Sequence, residues 1–290
     1  MDSLKQPVDS SIDGVGTSTP NGDNVLYVQA RGLSIGYPDE VIVPDISFEL
    51  RPGQAIALIG TNGSGKSTLL KTIVGLLRPL GGQLSVFGMP PGKGVHRRVA
   101  YLGQFHSSGF VLPIRVIDVV RMGRFPLYGL LKRMSRKDDE IVLSAMHTMG
   151  IDDLAKSPLR SLSGGQQQRT YLAQVLAHQA DLLVLDEPAA GLDAGSRELY
   201  LQAVAGELRR GASVVMATHD IQEEAALCHQ VMLLAHRVVA IGAPAQVLTR
   251  DVLLETFGVV VSDDQKRFHV IEIEHGHGDH EQPAAKKPSH

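Results

Sequence analysis

Ala55-Ile56-Ala57-Leu58-Ile59 runs directly into Gly60-Thr61-Asn62-Gly63-Ser64-Gly65-Lys66-Ser67, and the reading of this stretch decides the fold. Five residues without a polar break read as a strand buried on both faces. The loop matches G-x-x-x-x-G-K-[ST] at every position, and Lys66–Leu77 after it reads as a helix. Strand, glycine loop and helix in that order open an α/β nucleotide-binding unit. The glycines let backbone amides turn inward onto phosphate oxygens. Lys66 adds a point charge for the β- and γ-phosphates, and the Ser67 hydroxyl suits Mg²⁺. A plain glycine turn is the alternative, and the flanking strand and helix argue against it.

Further along, Leu182-Leu183-Val184-Leu185 is a second short apolar run, and it ends in Asp186-Glu187. A buried strand ending in carboxylates presents them at its C-terminal edge, where α/β sheets bind ligands. Asp186 there is expected to hold Mg²⁺ through water, and Glu187 to act as general base on an attacking water. Leu162-Ser163-Gly164-Gly165-Gln166 begins another helix. Exposed amides and a serine hydroxyl at a helix start form a second anion site, or merely a cap. One nucleotide does not need two such sites in one subunit, so the second makes sense if it meets phosphate bound to another copy.

The rest of the chain fits around these points. Val25–Val28, Ile46–Leu50 and Gln83–Phe87 read as strands, as do Ser213–Ala217, Val231–Ala235 and Val238–Ile241. Gln166–Ala180 and Arg197–Arg210 read as helices, the latter closed by Gly211. Between about 112 and 160 the pattern turns helical, with Ile114–Arg121 and a segment capped by Ser135, which gives a helical insert in an α/β frame. Residues 1–24 are rich in Ser, Asp, Gly and Pro and read as disordered. Beyond 258, Val259–Val261 and His269–Ile273 read as a hairpin within 259–274, and 275–290 as a biased tail.

Composition narrows the classes. The 290 residues are 43% hydrophobic and 20% charged, the balance of a globular protein. With 28 Lys plus Arg against 31 Asp plus Glu, the net charge is -3, which argues against a nucleic-acid partner. A single cysteine, Cys228, fits a reducing, cytoplasmic compartment. Cys228-His229 reads as part of an apolar helix, with the thiol in the core. No run approaches the roughly 18 apolar residues of a membrane span, and none resembles a signal peptide.

With these motifs in place, residues 25–258 resemble the ATP-binding subunits of ABC transporters. The resemblance implies a P-loop NTPase core with a parallel sheet, an N-terminal antiparallel β subdomain and a helical insert. It implies ATP and Mg²⁺ as cofactors. Tyr37 resembles the aromatic that stacks on adenine. Gln104, in Ala-Tyr-Leu-Gly-Gln, resembles the glutamine that contacts Mg²⁺ and the attacking water. Gly191-Leu192-Asp193 resembles the loop along the dimer interface, with Gly where Ser or Ala is more frequent. His219 resembles the histidine that meets the γ-phosphate. The implied catalytic set is Glu187, His219 and Gln104, and the metal set is Ser67, Gln104 and Asp186. The nucleotide set is Tyr37, Gly60, Thr61, Asn62, Gly63, Ser64, Gly65, Lys66, Ser67 and Thr68, with Ser163, Gly164, Gly165, Gln166 and Asp193 reaching the partner's nucleotide.

The implied partners are a second copy of the chain, an integral-membrane permease and, indirectly, an extracytoplasmic substrate-binding protein. The implied place is the inner face of the cell membrane. Gly109–Arg124 resembles the matching segment of zinc and manganese importers, and Gly123-Arg124-Phe125-Pro126 also resembles siderophore and cobalamin importers. A divalent metal is the expected cargo, with chelated iron, haem or cobalamin as the alternative. A soluble ABC ATPase uncoupled from transport is a rival of another class. It usually carries a coiled-coil insert or two cassettes, and this chain has neither. A P-loop GTPase would need an N-K-x-D motif, which is absent. His275, His277, Asp279 and His280, with His269 upstream, suit weak Zn²⁺ binding or simply a solvated tail.

Overall fold

The computed structural model describes residues 25–92, 94–104, 114–128 and 134–257. The N-terminal segment, Lys132-Arg133, the hairpin and the histidine-rich tail lie outside the described residues, as does 105–113.

Two sheets form. β1 (Val28–Tyr37), β2 (Glu40–Leu50) and β4 (Gly81–Val86) make an antiparallel sheet in the order β2-β1-β4. β3 (Ala55–Gly60), β5 (Val99–Leu102), β6 (Leu182–Asp186), β7 (Ser213–Ala217), β8 (Gln230–Leu234) and β9 (Val238–Gly242) make the second, in the order β5-β6-β7-β3-β8-β9. Every pairing in it is parallel except β8 with β9. The helices are α1 (Lys66–Ile73), α2 (Val116–Met122), α3 (Phe125–Tyr128), α4 (Arg136–Thr148), α5 (Gly164–His178), α6 (Ala194–Arg209), α7 (Glu223–Ala226), α8 (Pro244–Val247) and α9 (Arg250–Phe257).

The unbroken apolar strands explain the layering. In β3, Ile56 and Leu58 join a core built with α1 and the antiparallel sheet. Ala55, Ala57 and Ile59 join the opposite core, with α2, α4, α5 and α6. β6 and β7 divide their side chains in the same way. A period of two on a strand covered on both sides requires this.

One node organises the helical segment. Arg124 is 5% exposed and gives Nε and Nη2 to Asp138 Oδ1 at 3.1 and 2.9 Å. Its Nη1 donates to the Ala177 and His178 carbonyls at the end of α5, at 2.9 and 3.2 Å. A cation there also answers the negative end of the helix dipole. Asp138 further accepts from the Tyr128 hydroxyl at 2.6 Å and from both the amide and the hydroxyl of Ser135, the residue that caps α4.

Several sequence expectations shift. α1 stops at Ile73, four residues short, because the chain turns at Gly75 with φ +81°. β1 starts at Val28 and continues to Tyr37, and β2 begins six residues before Ile46. β5 had no counterpart in the reading, since four residues are too few to show a period. Cys228 is buried as expected, but Cys228-His229 lies in the connection between α7 and β8, not on a helix. There His229 pairs along the end of β3, its amide on the Ala55 carbonyl at 2.9 Å and its Nδ1 accepting from the Ala55 amide at 3.1 Å.

Candidate nucleotide-binding and hydrolysis site

Parallel strands place their C-terminal ends on one edge. β3 opens the glycine loop, β5 leads to Gln104, β6 ends at Asp186 beside Glu187, and β7 leads through Thr218 to His219. Because β7 lies between β6 and β3, residues far apart in sequence meet there. The Glu187 amide donates to the Ala217 carbonyl and the Thr218 amide to the Leu58 carbonyl, both at 3.0 Å.

The glycine loop is shaped by close approach. A Cβ on Gly60 would stand 2.1 Å from the Leu234 carbonyl oxygen, and one on Gly65 2.4 Å from a Val43 methyl, with φ at +105°. Gly65 precedes α1, and no side chain caps that helix. Amides at such a start suit anionic oxygens. The Lys66 ammonium lies over the loop, on the Gly60 and Thr61 carbonyls at 2.7 and 2.9 Å.

Ser67 Oγ donates to Asp186 Oδ1 at 3.1 Å. The other oxygen, Oδ2, is buried without a hydrogen-bond partner. Burial raises this carboxyl group's pKa, the Ser67 hydrogen bond lowers it, and neighbouring Glu187 raises it again. A hydroxyl and an unsatisfied carboxylate oxygen form a hard-oxygen pair that fits Mg²⁺.

Glu187 is held from two sides. Gln104 Nε2 donates to Oε2 at 3.2 Å, and His219 Nε2 is 2.9 Å from Oε1. Its φ is +49°, a left-handed conformation that costs a residue with a Cβ roughly 1–2 kcal/mol. The turn aims the carboxylate between Gln104 and His219 instead of along the strand.

The other residues sit nearby in the topology or at the rim. Tyr37 is 46% exposed at the tip of the β1–β2 hairpin, paired with Glu40, and the same hairpin's Val43 packs on Gly65. Asn62, Gly63, Ser64 and Thr68 lie in the loop and the first turn of α1, with Ser64 and Thr68 buried. Ser163 caps α5 in a reciprocal box with Gln166: its Oγ accepts the Gln166 amide at 3.3 Å, and Gln166 Oε1 accepts the Ser163 amide at 3.0 Å. Gly164 faces open space, and Gly165 lies against the Gly191 carbonyl. Gln168 donates to the Pro188 carbonyl at 2.8 Å, which ties α5 to the segment after Glu187. Asp193 caps α6 through the Ser196 amide at 2.7 Å, and its pKa is lowered by hydrogen bonds to Ser196. Thus Gln104, Asp186, Glu187, His219, Lys66 and Ser67 share one edge, and Ser163–Gln166 sits beside the loop leading to Asp193.

The family described as ABC transporter matches residues 43–190. The manganese transport system ATP-binding protein MntB of Bacillus subtilis is 36% identical over 80% of this chain and 92% of its own. The chain belongs to the ABC transporter family. The zinc transport system ATP-binding protein TroB of Treponema pallidum is 35% identical over 81% of this chain and 88% of its own. A metal-chelate type ABC transporter solved in an inward-facing conformation matches with TM-score 0.70 and 28% identity, covering 81% of this chain and 90% of that one. The fold is therefore the ABC cassette. The ABC transporter chain is an ATP-binding ATPase whose hydrolysis is coupled to transport, and such subunits work with a membrane permease. Among the described residues no helix is long and apolar enough to cross a membrane.

Sequence reasoning missed what lies behind His219. Glu224 was not among the candidate residues, yet it is 1% exposed, and the Thr218 hydroxyl donates to it. The α7 stretch is too short for its periodicity to reveal which glutamate turns inward.

Proposed function

We propose that this chain powers uptake of a divalent transition metal, zinc or manganese, through a separate permease at the inner face of the cell membrane. The observation carrying the catalytic reading is Glu187 clasped by Gln104 and His219 beside the Ser67–Asp186 pair. ATP sits on the Gly60–Thr68 loop, with Tyr37 against the base. Ser67, Gln104 and Asp186 would hold Mg²⁺, which would supply Lewis-acid polarisation of the phosphate oxygens. Glu187 takes a proton from the attacking water, and Gln104 and His219 orient its carboxylate. Lys66 neutralises charge on the transferring phosphate. Ser163–Gln166 of a second copy complete the γ-phosphate site, and Asp193 lies along that interface. ATP thereby favours a closed dimer and hydrolysis releases it.

Cargo rests on the manganese and zinc systems to which the relatives belong. A chelate cargo draws support from the metal-chelate transporter. An extracytoplasmic substrate-binding protein delivers either. The test is light scattering of Glu187→Gln with saturating ATP, with metal analysis of cells lacking the chain. A dimer and a fall in cell zinc or manganese are expected. A monomer overturns the closed dimer, and unchanged metal content overturns the cargo.

A further inference from the structure

Glu224 of α7 is buried, and its hydrogen bond to Thr218 leads to the loop that carries His219. The Thr218 hydroxyl donates to Glu224 Oε2 and accepts the Asp220 amide at 2.8 Å. This one hydroxyl therefore grips the backbone on both sides of His219. Asp220 Oδ1 accepts the Gln222 and Glu223 amides at 2.9 and 2.8 Å, and its Oδ2 meets Arg197 of α6 at 3.2 Å. Glu224 Oε1 is buried with no hydrogen-bond partner of good geometry. We propose that Glu224 is a positioning residue for His219: through the Thr218 hydroxyl it fixes the loop on which the imidazole meets Glu187.

The inference rests on the reading of His219 and Glu187 as hydrolytic groups. The groups facing the carboxyl are Thr218, Asp220, Tyr200 and Arg197 of α6, and Cys228. Burial pushes Glu224 up to about 7; the Thr218 and Tyr200 hydroxyls pull it down, Asp220 pushes it up and Arg197 pulls it down. The group thus changes charge near neutrality. Its ionised form turns the Thr218 bond into a charge-assisted one, which is stronger. Above that pH the Thr218 bond holds the loop more firmly, even though the buried charge costs the fold stability overall.

The experiment compares kcat and KM for ATP between about pH 6 and pH 8 in the full-length chain and in Glu224→Gln, whose amide cannot ionise. In the wild type, kcat is expected to rise across this window. In Glu224→Gln the rise is blunted: kcat is lowered about five-fold near pH 8 and nearly unchanged near pH 6, with KM preserved. Thr218→Val, which removes the hydroxyl but keeps the shape, is expected to blunt the rise as well, and it serves if Glu224→Gln fails to fold. Wild-type profiles in either folded variant overturn the inference. His219→Ala is run alongside. Wild-type turnover in His219→Ala overturns the hydrolytic reading itself, whereas a dead His219→Ala beside a wild-type Glu224→Gln profile overturns this positioning role alone.

Discussion

Asp138 in the helical segment and Glu224 behind the site are each 1% exposed, yet their proton affinities move in opposite directions. Burial pushes both upward. At Asp138, hydrogen bonds from Ser135, Tyr128 and Arg124 outweigh burial and hold the carboxyl well below its usual range. At Glu224 the Thr218 and Tyr200 hydroxyls do not outweigh burial, and the Arg197 guanidinium is engaged by Asp220. Burial alone therefore does not decide the charge state; the number of donors does. The helical segment is fastened by a saturated ion pair. The catalytic edge is held by unsaturated, strained contacts that cost stability and leave groups ready for ligand.

The comparison yields tests of graded size. Glu187→Gln at the catalytic edge should lower hydrolysis by about 100-fold or more while leaving the melting temperature almost unchanged. A large loss of melting temperature would break the contrast. Asp138→Ala should destabilise the fold by about 3–5 kcal/mol, because it strands the buried Arg124 cation, and denaturant titration reads it. Replacing Arg124 and Asp138 together by leucines should cost much less.

The two carboxylates should also give stability opposite pH slopes. Glu224, raised in the fold, contributes stability below its ordinary value of 4.5 and loses it as pH rises toward about 7. The size is on the order of 3 kcal/mol, and thermal melts of Glu224→Gln should lack that fall. Asp138, lowered in the fold, contributes stability above the ordinary carboxylate range and loses it on acidification below about pH 4. Smallest, Ser163→Ala removes the α5 cap and should cost about 1 kcal/mol in denaturant titration. A loss near zero would show that the Gln166 amide is already satisfied elsewhere.

Where a residue's role follows from its immediate neighbours, the sequence is explicit. The run from Ala55 to Ser67 carries strand, turn and helix start, since glycine spacing and apolar continuity are local properties. Ser135 and Ser163 announce their caps for the same reason. Arg124 is legible only as part of a family-like segment, because its partners lie 14 and 53 residues away. Gln104 was placed through resemblance, since β5, the strand before it, is too short to read.

By itself, then, the sequence determined the α/β frame, the phosphate loop and the carboxylates at the end of β6. These depend on chain direction, apolar periodicity and short-range backbone freedom. Only the tertiary structure decided that Gln104 and His219 clasp Glu187, that Asp186 keeps an unpartnered oxygen beside Ser67, and that Glu224 turns inward while Glu223 stays out. Parallel strand order brings Gln104 to Glu187 across 83 residues of chain and Ser67 to Asp186 across 119. Their charge states follow from the donors that this packing supplies or withholds, which no local pattern encodes.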